Sequence, residues 1–374
     1  MTTDPYARTL LHEAIATASP SGSEEAVVTA LLALLEDRVD EAYRDEVGNL
    51  VVRRGEGPTR ITMLGHVDTV PGDVPVLESD GALYGRGSVD AKGPLVASLA
   101  ALTALPRETL TGLELRVIGA VGEEAPGSIG ARHVLRTQPQ PDYLIINEPS
   151  GWDAVTLGYK GTYRTTIRAT RPSHHAAGPD PTASDDLLDA IMRVRQTLQD
   201  AQAEERAAAG GTLRAFDALQ GKVLQLRHAH DGLEERAEAV FGMRLPPTWP
   251  PDRVASLLDG VDWPSTVTRE DGEERLPAVK TVADGTLQRA FRTAIRAQGG
   301  TPRRVVKTGT SDWNVVHEAW PVPTLAYGPG DAGLDHTPNE HLDLGAFDAS
   351  IEVLKTVWQR LAEAPVDRQS PESS

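Results

Sequence analysis

The sequence predicts an α/β protein with helices on both faces of a sheet and a smaller domain inserted into the larger one. Short β-rich runs alternate with helical patterns in the N-terminal part, and a compact β-α-β-β-α-β pattern later interrupts that alternation. The 374 residues are enough for two domains. We therefore expect one discontinuous domain over residues 1–161 and 273–374, and an inserted domain over residues 162–272.

Helical and strand patterns alternate through the first segment of the larger domain. Apolar side chains at helical spacing predict helices over Tyr6–Ala18, Ser23–Val39, Ala91–Ala104 and Ile129–Arg136. Apolar, β-rich runs predict strands over Leu50–Arg53, Arg60–Leu64, Leu113–Val121 and Tyr143–Ile146. Ser21 or Ser23 is expected to cap the second helix, because a serine hydroxyl can accept from the free amides of a first turn.

The inserted segment begins where the character of the sequence changes, near Lys160-Gly161. Its predicted strands are Thr162–Ala169, Lys222–His230, Ala237–Leu245 and Ser265–Glu270. Its predicted helices are Thr182–Ala208 and Pro250–Leu258. The larger domain then resumes with a helix over Asp284–Ala297 and a strand over Pro323–Tyr327. The polar tail Ala364–Ser374 is predicted to be disordered.

The composition argues against several classes of function. A formal net charge of −17 disfavours nucleic-acid binding, which relies on lysine and arginine to neutralise phosphates. Because the chain has no cysteine, any metal site must use histidine and carboxylate groups. The N-terminal residues do not resemble a signal peptide, and no window is long and apolar enough to span a membrane. These features predict a cytoplasmic protein.

Titratable side chains occur where apolar runs end. His66 and Asp68 follow the run Ile61–Leu64 and, at a spacing of two, would share one face of a strand. The others are Asp90, Glu123, Glu124, Glu148 and His336. Each alone also fits an ordinary surface turn, helix N-cap or solvated loop. Together, two histidines and several carboxylates suit zinc, and also a two-metal site in which one carboxylate bridges ions roughly 3.5–4 Å apart.

Five motifs, in order along the chain, carry a resemblance to a known family: GHVDTVPG, GRGSVDAKG, GEEAPGS, NEPS and DHTPNE. They resemble the dinuclear zinc aminoacylase/carboxypeptidase metallopeptidases, which include succinyl-diaminopimelate desuccinylase, acetylornithine deacetylase and glutamate carboxypeptidase. The resemblance covers nearly the whole chain. It implies a zinc-peptidase-like three-layer catalytic domain interrupted by a lid or dimerisation domain. It also implies two Zn²⁺ per subunit, for which Co²⁺ or Mn²⁺ can substitute.

The resemblance implies a role for each residue at the strand ends. The metal ligands would be His66, Asp90, Glu124, Glu148 and His336. Asp90 would bridge the two metals, with His66 and Glu148 on one metal and Glu124 and His336 on the other. Asp68 would orient His66. Glu123 would be the general base, which takes a proton from a metal-bridging water and returns it to the leaving amine.

The resemblance extends to the inserted domain. His174 lies in a sequence similar to the family's Ser-His segment, whose histidine reaches the active site of a partner subunit and donates to the oxyanion. We favour it over His175, and the implied assembly is a homodimer. Arg244 resembles an arginine that meets a substrate carboxylate. Thr310 and Ser311 lie in a segment similar to a substrate-contacting Gly-Thr-Ser-Asp loop. The alternatives are exposed loop positions for the two histidines, a strand-end surface position for Arg244, and a simple turn with a helix cap for Thr310 and Ser311.

The inserted domain departs from the family at one position. Many relatives have an Asn-x-x-Pro sequence before the strand of the lid arginine. In this chain HAHDGLEERAEAV lies there instead. Which group replaces that asparagine is left open.

Three segments indicate a substrate. KTGTSD, YGPGD and LDHTPNE most resemble the branch that hydrolyses lysine or ornithine from an amino-group carrier protein, formerly called acetyl-lysine deacetylases. The prediction is therefore release of lysine, or ornithine, in lysine or arginine biosynthesis. The alternative is a deacylase of small N-acyl amino acids, of the acetyl-lysine, acetylornithine or succinyl-diaminopimelate type, or a dipeptidase. Glu123, beside a full ligand set, argues against a metal-binding relative without catalysis.

The charge pattern bears on the same question. Between Asp284 and Asp312 there is no acidic residue. The basic residues in this interval are Arg289, Arg292, Arg296, Arg303, Arg304 and Lys307. The carrier protein of the branch is acidic, so a basic approach would steer it toward the enzyme. Ordinary solvated arginines on a helix face are the other explanation.

Overall fold

A computed structural model describes residues 4–175 and 177–363, so the predicted disordered tail Ala364–Ser374 lies outside the described residues. The chain divides into two compact units. The first takes in the chain up to Gly158, Thr281–Val306 and the chain from Ser311 onward. The second takes in Tyr159–Lys280 and Lys307–Thr310. The catalytic role of residues 1–161 with 273–374, and the lid role of residues 162–272, remain predictions.

Helices and strands alternate along most of the described chain. The helices are α1 (Pro5–Ala16), α2 (Glu25–Leu35), α3 (Lys92–Ala104), α4 (Ile129–Thr137), α5 (Ala183–Ala208), α6 (Pro251–Asp259), α7 (Thr286–Ala297), α8 (Asp312–Val316) and α9 (Leu344–Glu363). The strands are β1 (Glu41–Arg44), β2 (Leu50–Arg54), β3 (Thr59–His66), β4 (Leu77–Ser79), β5 (Ala82–Tyr84), β6 (Leu113–Ala120), β7 (Tyr143–Ile146), β8 (Ala154–Tyr159), β9 (Gly161–Pro172), β10 (Gln220–His230), β11 (Glu234–Leu245), β12 (Val267–Leu276), β13 (Val279–Lys280), β14 (Arg303–Lys307), β15 (Thr324–Ala326) and β16 (His341–Asp343).

A mixed sheet forms the centre of the first unit. Its strands lie in the order β1-β2-β6-β3-β7-β15-β8, with β14 beside β8. β3 is parallel to β6 and β7, and β15 is parallel to β7. Nearly every residue of β3, β6 and β7 is buried, which is typical of parallel strands covered by helices on both faces. The carboxyl ends of these strands therefore meet at one edge, where α/β sheets place ligand sites.

The second unit follows the predicted β-α-β-β-α-β pattern, as β9-α5-β10-β11-α6-β12. Its antiparallel sheet has the strand order β10-β11-β9-β12. Alternate residues of β11 are buried, and Phe241 and Met243 belong to a core that includes apolar residues of α5 and α6. In the described residues β10 pairs with β11 alone, so β10 is an edge strand.

Two local predictions are wrong, and one helix was not predicted. Neither Ser21 nor Ser23 caps the second helix, since α2 begins at Glu25 and the Ser21 hydroxyl donates to Asp68 instead. Asp68 does not continue the strand of His66, because β3 ends at His66. The helix α9 is absent from the sequence prediction altogether.

A separate finding concerns membranes. Among the described residues, no helix combines the length and the apolar character that crossing a membrane requires.

Candidate active site

Strand β3 brings His66 to the carboxyl edge of the sheet. Gly65 precedes it because a Cβ at that position would lie 2.7 Å from the Cβ of Asn147, which follows β7. His66 Nδ1 lies 2.9 Å from the backbone oxygen of Asp68. A carbonyl oxygen can only accept, so Nδ1 carries a proton, and Nε2 is the nitrogen that can ligate a metal once its own proton is released.

The Asp68 carboxylate is buried and binds the turn that carries two glutamates. Its Oδ1 accepts from the amide of Glu123 at 3.1 Å, and its Oδ2 accepts from the amide of Glu124 at 3.0 Å and from the Ser21 hydroxyl at 2.7 Å. Burial raises the pKa of this carboxyl, but its contacts with His66 and Ser21 outweigh burial and keep the pKa below its ordinary value. Asp68 thus fixes the backbone of both glutamates, in addition to its position 3.5 Å from His66 Nδ1.

The Asp90 carboxylate lies between the two histidines. Its Oδ1 is 3.2 Å from His66 Nε2, and its Oδ2 is 3.0 Å from His336 Nε2. His336 Nε2 also lies 2.7 Å from Glu124 Oε1, and His66 Nε2 lies 3.7 Å from Glu148 Oε1. The structure therefore brings the five predicted ligands together and divides the Asp90 oxygens between the two imidazoles. Asp90 is not a helix cap, since α3 begins at Lys92.

This donor set fits a pair of cations. Zinc bonds of about 2.0–2.2 Å in a tetrahedron need donor atoms roughly 3.3–3.6 Å apart. The donor–donor distances given above run from 2.7 to 3.7 Å and bracket that range, and the shorter ones are contacts between an imidazole nitrogen and a carboxylate oxygen that would open slightly around an ion. The donor atoms of His66, Asp90 and Glu124 all lie within 4.8 Å of one another. Imidazole and carboxylate ligands suit zinc and related divalent ions.

The charges of the site also favour bound cations. Burial disfavours a charged His66, yet its contacts with Asp68 and Asp90 hold the pKa of His66 well above its usual value. Contacts with Asp90, and then with Glu124, raise the pKa of His336 to about 10. Two imidazolium groups thus balance the clustered carboxylates, as bound cations would do.

Glu123 is half-buried beside these residues. Burial raises the pKa of Glu123 well above its usual value, and the charges of Asp312 and Glu148 add to this, although His66 opposes it. A carboxylate in such surroundings accepts a proton readily, which suits a general base.

Sequence reasoning did not single out Asp312, the first residue of α8. Its side chain is buried, and burial raises its pKa to about 7. The charge of Asp312 raises the pKa of Glu123, and the charge of His66 lowers the pKa of Asp312. Asp312 therefore lies near the proposed base. The available signal was its position next to Thr310 and Ser311 in the same segment.

The predicted substrate residues divide between the two units. In the second unit, Arg244 Nη1 donates to Thr310 Oγ1 at 3.1 Å. His174 lies in the loop after β9, and the carbonyl oxygens of Asp180 and then Pro172 raise its pKa, which favours a donating imidazolium. Ser311 belongs to the first unit and caps α8. The roles of these residues toward a substrate remain predictions.

Similar proteins are found among known sequences. The chain matches the sequence profile of peptidase family M20/M25/M40 over residues 62–360. It is 45% identical over 360 residues to the LysW-lysine hydrolase of Deinococcus radiodurans, which covers 95% of this chain and 97% of that protein. It is 26% identical over 318 residues to the LysW-lysine/LysW-ornithine hydrolase of Saccharolobus solfataricus, covering 82% of this chain and 83% of that protein.

Solved structures share the fold. An M20 family metallo-carboxypeptidase of Sulfolobus solfataricus has a TM-score of 0.77 at 17% identity, covering 97% of this chain and 100% of that one. The YXEP protein of Bacillus subtilis, described as a dinuclear metal binding peptidase from the M20 family, has a TM-score of 0.66 at 14% identity, covering 96% and 99%. These likenesses confirm the predicted α/β fold class with its inserted domain.

Proposed function

Because the chain belongs to peptidase family M20/M25/M40 and is a metal-dependent hydrolase that acts on amides, we propose that it releases lysine, or ornithine, from an amino-group carrier protein. The resemblance drawn from the five sequence motifs is thus confirmed at the level of the family. The relative from Deinococcus radiodurans, whose name gives LysW-lysine as its substrate, supports this reaction. Lysine or arginine biosynthesis is the pathway in which such a step would free the finished amino acid.

The observation that carries the metal-dependent part of the proposal is the division of the Asp90 oxygens between His66 and His336. A carboxylate with one oxygen toward each imidazole is placed to bridge two ions. His66 and Glu148 would hold one ion together with Asp90, and Glu124 and His336 would hold the other. Zn²⁺ is the proposed ion, with Co²⁺ or Mn²⁺ as substitutes.

The chemistry is divided between the metals and the chain. When bound, a metal pair supplies an activated water and polarises the amide carbonyl. Glu123 would accept a proton from the attacking water and return it to the leaving amine. Asp68 holds the amide of Glu123 at 3.1 Å, so it keeps the base in place. Arg244, whose Nη1 donates to Thr310, would bind the carboxylate of the lysine part. Thr310 and Ser311 would contact the substrate, as the resemblance implies.

The proposed assembly is a homodimer formed through the second unit. The exposed edge of β10 offers unpaired backbone groups to a second copy. Helix α5 lies alongside β10, since Ser184 at its start contacts His228 at 3.0 Å. Large apolar side chains are exposed on this flank: Leu188 at 54%, Met192 at 63% and Leu226 at 56%. An edge strand beside exposed apolar side chains is typical of a protein interface, and His174 would then serve the partner's active site.

A basic surface on the first unit supports a protein substrate. Arg292, Arg296, Arg303 and Arg304 line a cavity of about 530 Å³. Asp284 contacts Arg292 and Arg304, and Asp153 contacts Arg303, but Arg296 has no ion pair in the part of the chain that the structure describes. Positive charge therefore exceeds negative charge here, in a chain of net charge −17. An acidic carrier protein would be attracted to this surface.

A panel of substrates tests the proposal. Purified protein of known metal content would be offered carrier-linked lysine, carrier-linked ornithine, acetyl-lysine, acetylornithine, succinyl-diaminopimelate and a dipeptide. We expect the highest kcat/KM on a carrier-linked amino acid. A higher value on any small substrate would assign the chain to the deacylases or dipeptidases instead.

The cytoplasm remains the predicted location.

A further inference from the structure

A further buried carboxylate, Glu340, lies behind the metal ligands. It follows His336 by four residues and is fully buried. Its Oε1 accepts from the amides of Val89 at 3.0 Å and Asp90 at 3.1 Å. Its Oε2 accepts from Arg86 Nη1 at 2.7 Å. The Glu340 carboxylate, which belongs to the segment that carries His336, thus holds the backbone of Asp90.

Arg86 completes the connection between the two segments. Its Nη1 also donates to the backbone oxygen of Thr337 at 3.2 Å, and its Nε donates to that of Gly72 at 2.9 Å. Arg86 therefore binds the segment that follows His336 through both Thr337 and Glu340. Hydrogen bonds between charged groups are about twice as strong as neutral ones, and burial strengthens them further.

The segment that carries His336 needs such support. His336 adopts a φ of 60°, in the left-handed region that a residue with a side chain rarely occupies. Such a conformation persists where the surroundings hold it in place. The 3.0 Å approach of His336 Nε2 to Asp90 Oδ2 depends on the relative position of two chain segments far apart in sequence.

We propose that Glu340 and Arg86 are positioning residues that set the spacing between Asp90 and His336, and hence the affinity and geometry of the metal pair. This inference rests on the metal site of the proposed function. Groups that orient metal ligands typically change metal affinity by about 10–100-fold when they are replaced. A purely structural ion pair would stabilise the fold and leave the metals unaffected.

Glu340→Gln tests the proposal, because it keeps the shape and removes the charge. Metal-free protein would be titrated with Co²⁺, with affinity, visible absorption spectrum, melting temperature and kcat and KM all measured. We expect Co²⁺ affinity to fall by about 10–100-fold at one or both sites. The Co²⁺ spectrum should change, and kcat should fall with KM nearly unchanged. Arg86→Lys keeps a positive charge for Glu340 but cannot make the other contacts of Arg86. We therefore expect it to lose less Co²⁺ affinity than Glu340→Gln.

Glu114→Gln is the matched control. Glu114 pairs with Arg116 at 2.9 Å at the opposite end of β6 and is also largely buried. It should lower the melting temperature without altering Co²⁺ affinity or the spectrum. Glu340→Gln with normal affinity and spectrum would overturn the proposal, as would an equal loss of affinity in Glu114→Gln. If Glu340→Gln does not fold, Arg86→Lys decides by the same readouts.

The outcomes separate this inference from the proposed function. Unsubstituted protein that binds Co²⁺ but cleaves no carrier-linked amino acid would refute the proposed reaction, while the comparison of affinities still decides the positioning role. Active protein whose Co²⁺ affinity is insensitive to Glu340 and Arg86 would refute the positioning role alone. Unsubstituted protein that binds no Co²⁺ would refute both.

Discussion

Glu123 and Glu124 are adjacent in sequence, yet the site gives them different surroundings. Glu124 Oε1 contacts His336, whereas Glu123 is held by its amide and has a raised pKa owing to burial. We expect Glu123→Gln to lower kcat by about 10²–10⁴-fold, since an amide cannot accept the proton. Metal content, measured by atomic absorption, should be unchanged. Glu124→Gln should lose metal, and the reverse pattern would show that the two roles are exchanged.

The two histidines predict a proton count for metal binding. The pKa of His336 is raised from 6.5 to about 10, so without metal its stabilising contribution is complete below pH 6.5 and is lost as pH rises through about 10. The pKa of His66 is raised in the same direction. Because metal displaces these protons, titration with Zn²⁺ at pH 7 should release about two protons per chain.

Calorimetry in two buffers of different ionisation enthalpy measures that release. His336→Asn should reduce it by about one proton, and affinity should rise with pH in the unsubstituted protein. His12→Asn, in helix α1, is the control and should leave the count unaltered. Metal binding without proton release would contradict the charge state described here.

At the residue level, the sequence indicates a candidate where a titratable side chain coincides with a strand end. His66 is the last residue of a buried strand, and the apolar run before it is visible in the sequence. Asp312 and Glu340 lie in the motifs KTGTSD and DHTPNE, but neither follows an apolar run, and their burial is visible only in the folded chain. The capping role considered for Asp90 follows from its short distance to α3, but the helix starts two residues later.

At the scale of elements, the edge strand β10 decides assembly. We expect Leu226→Asp to convert a homodimer into a monomer, because it places a charge in the exposed apolar flank beside α5. Light scattering gives the mass, and metal content should be normal. Val282→Asp, at a position 70% exposed in the first unit, is the matched control. A dimer that survives Leu226→Asp would exclude this flank as the interface.

The elements themselves followed from periodicity. The alternating burial of β11 and the long helix α5 are both readable in the sequence, and the predicted order of the inserted unit is confirmed. The short strands β4, β5 and β16 were missed, since three residues carry no periodic pattern. They form a small sheet whose pairing depends on distant parts of the chain.

At the scale of the whole molecule, subunit mixing tests whether the active site is shared. His174→Ala should slow turnover by about 10²–10³-fold if the histidine donates to the oxyanion. Mixing it with Glu123→Gln should restore partial activity, because some heterodimers then contain one complete site. Subunit exchange would be verified by mass spectrometry. Mixtures that stay inactive despite exchange would show that His174 does not act across subunits.

The basic surface predicts a dependence on salt that is specific to the carrier. Added salt should raise KM for carrier-linked lysine and leave KM for acetyl-lysine nearly constant, since screening weakens attraction between charged surfaces. At low salt, Arg296→Glu should likewise raise KM for carrier-linked lysine and leave KM for acetyl-lysine nearly constant. Arg360→Glu, exposed on α9, is the control. Equal effects on both substrates would exclude the surface as a docking site.

The proposed metal ligands are distributed from residue 66 to residue 336, with the entire second unit between Glu148 and His336. A chain emerging from the ribosome therefore has His66, Asp90 and Glu148 long before the last ligand exists. A complete two-metal site cannot nucleate folding, since its assembly requires the sheet to have formed first. Metal loading is therefore expected to be a late event, in which the ions enter an apo-protein whose sheet has already formed.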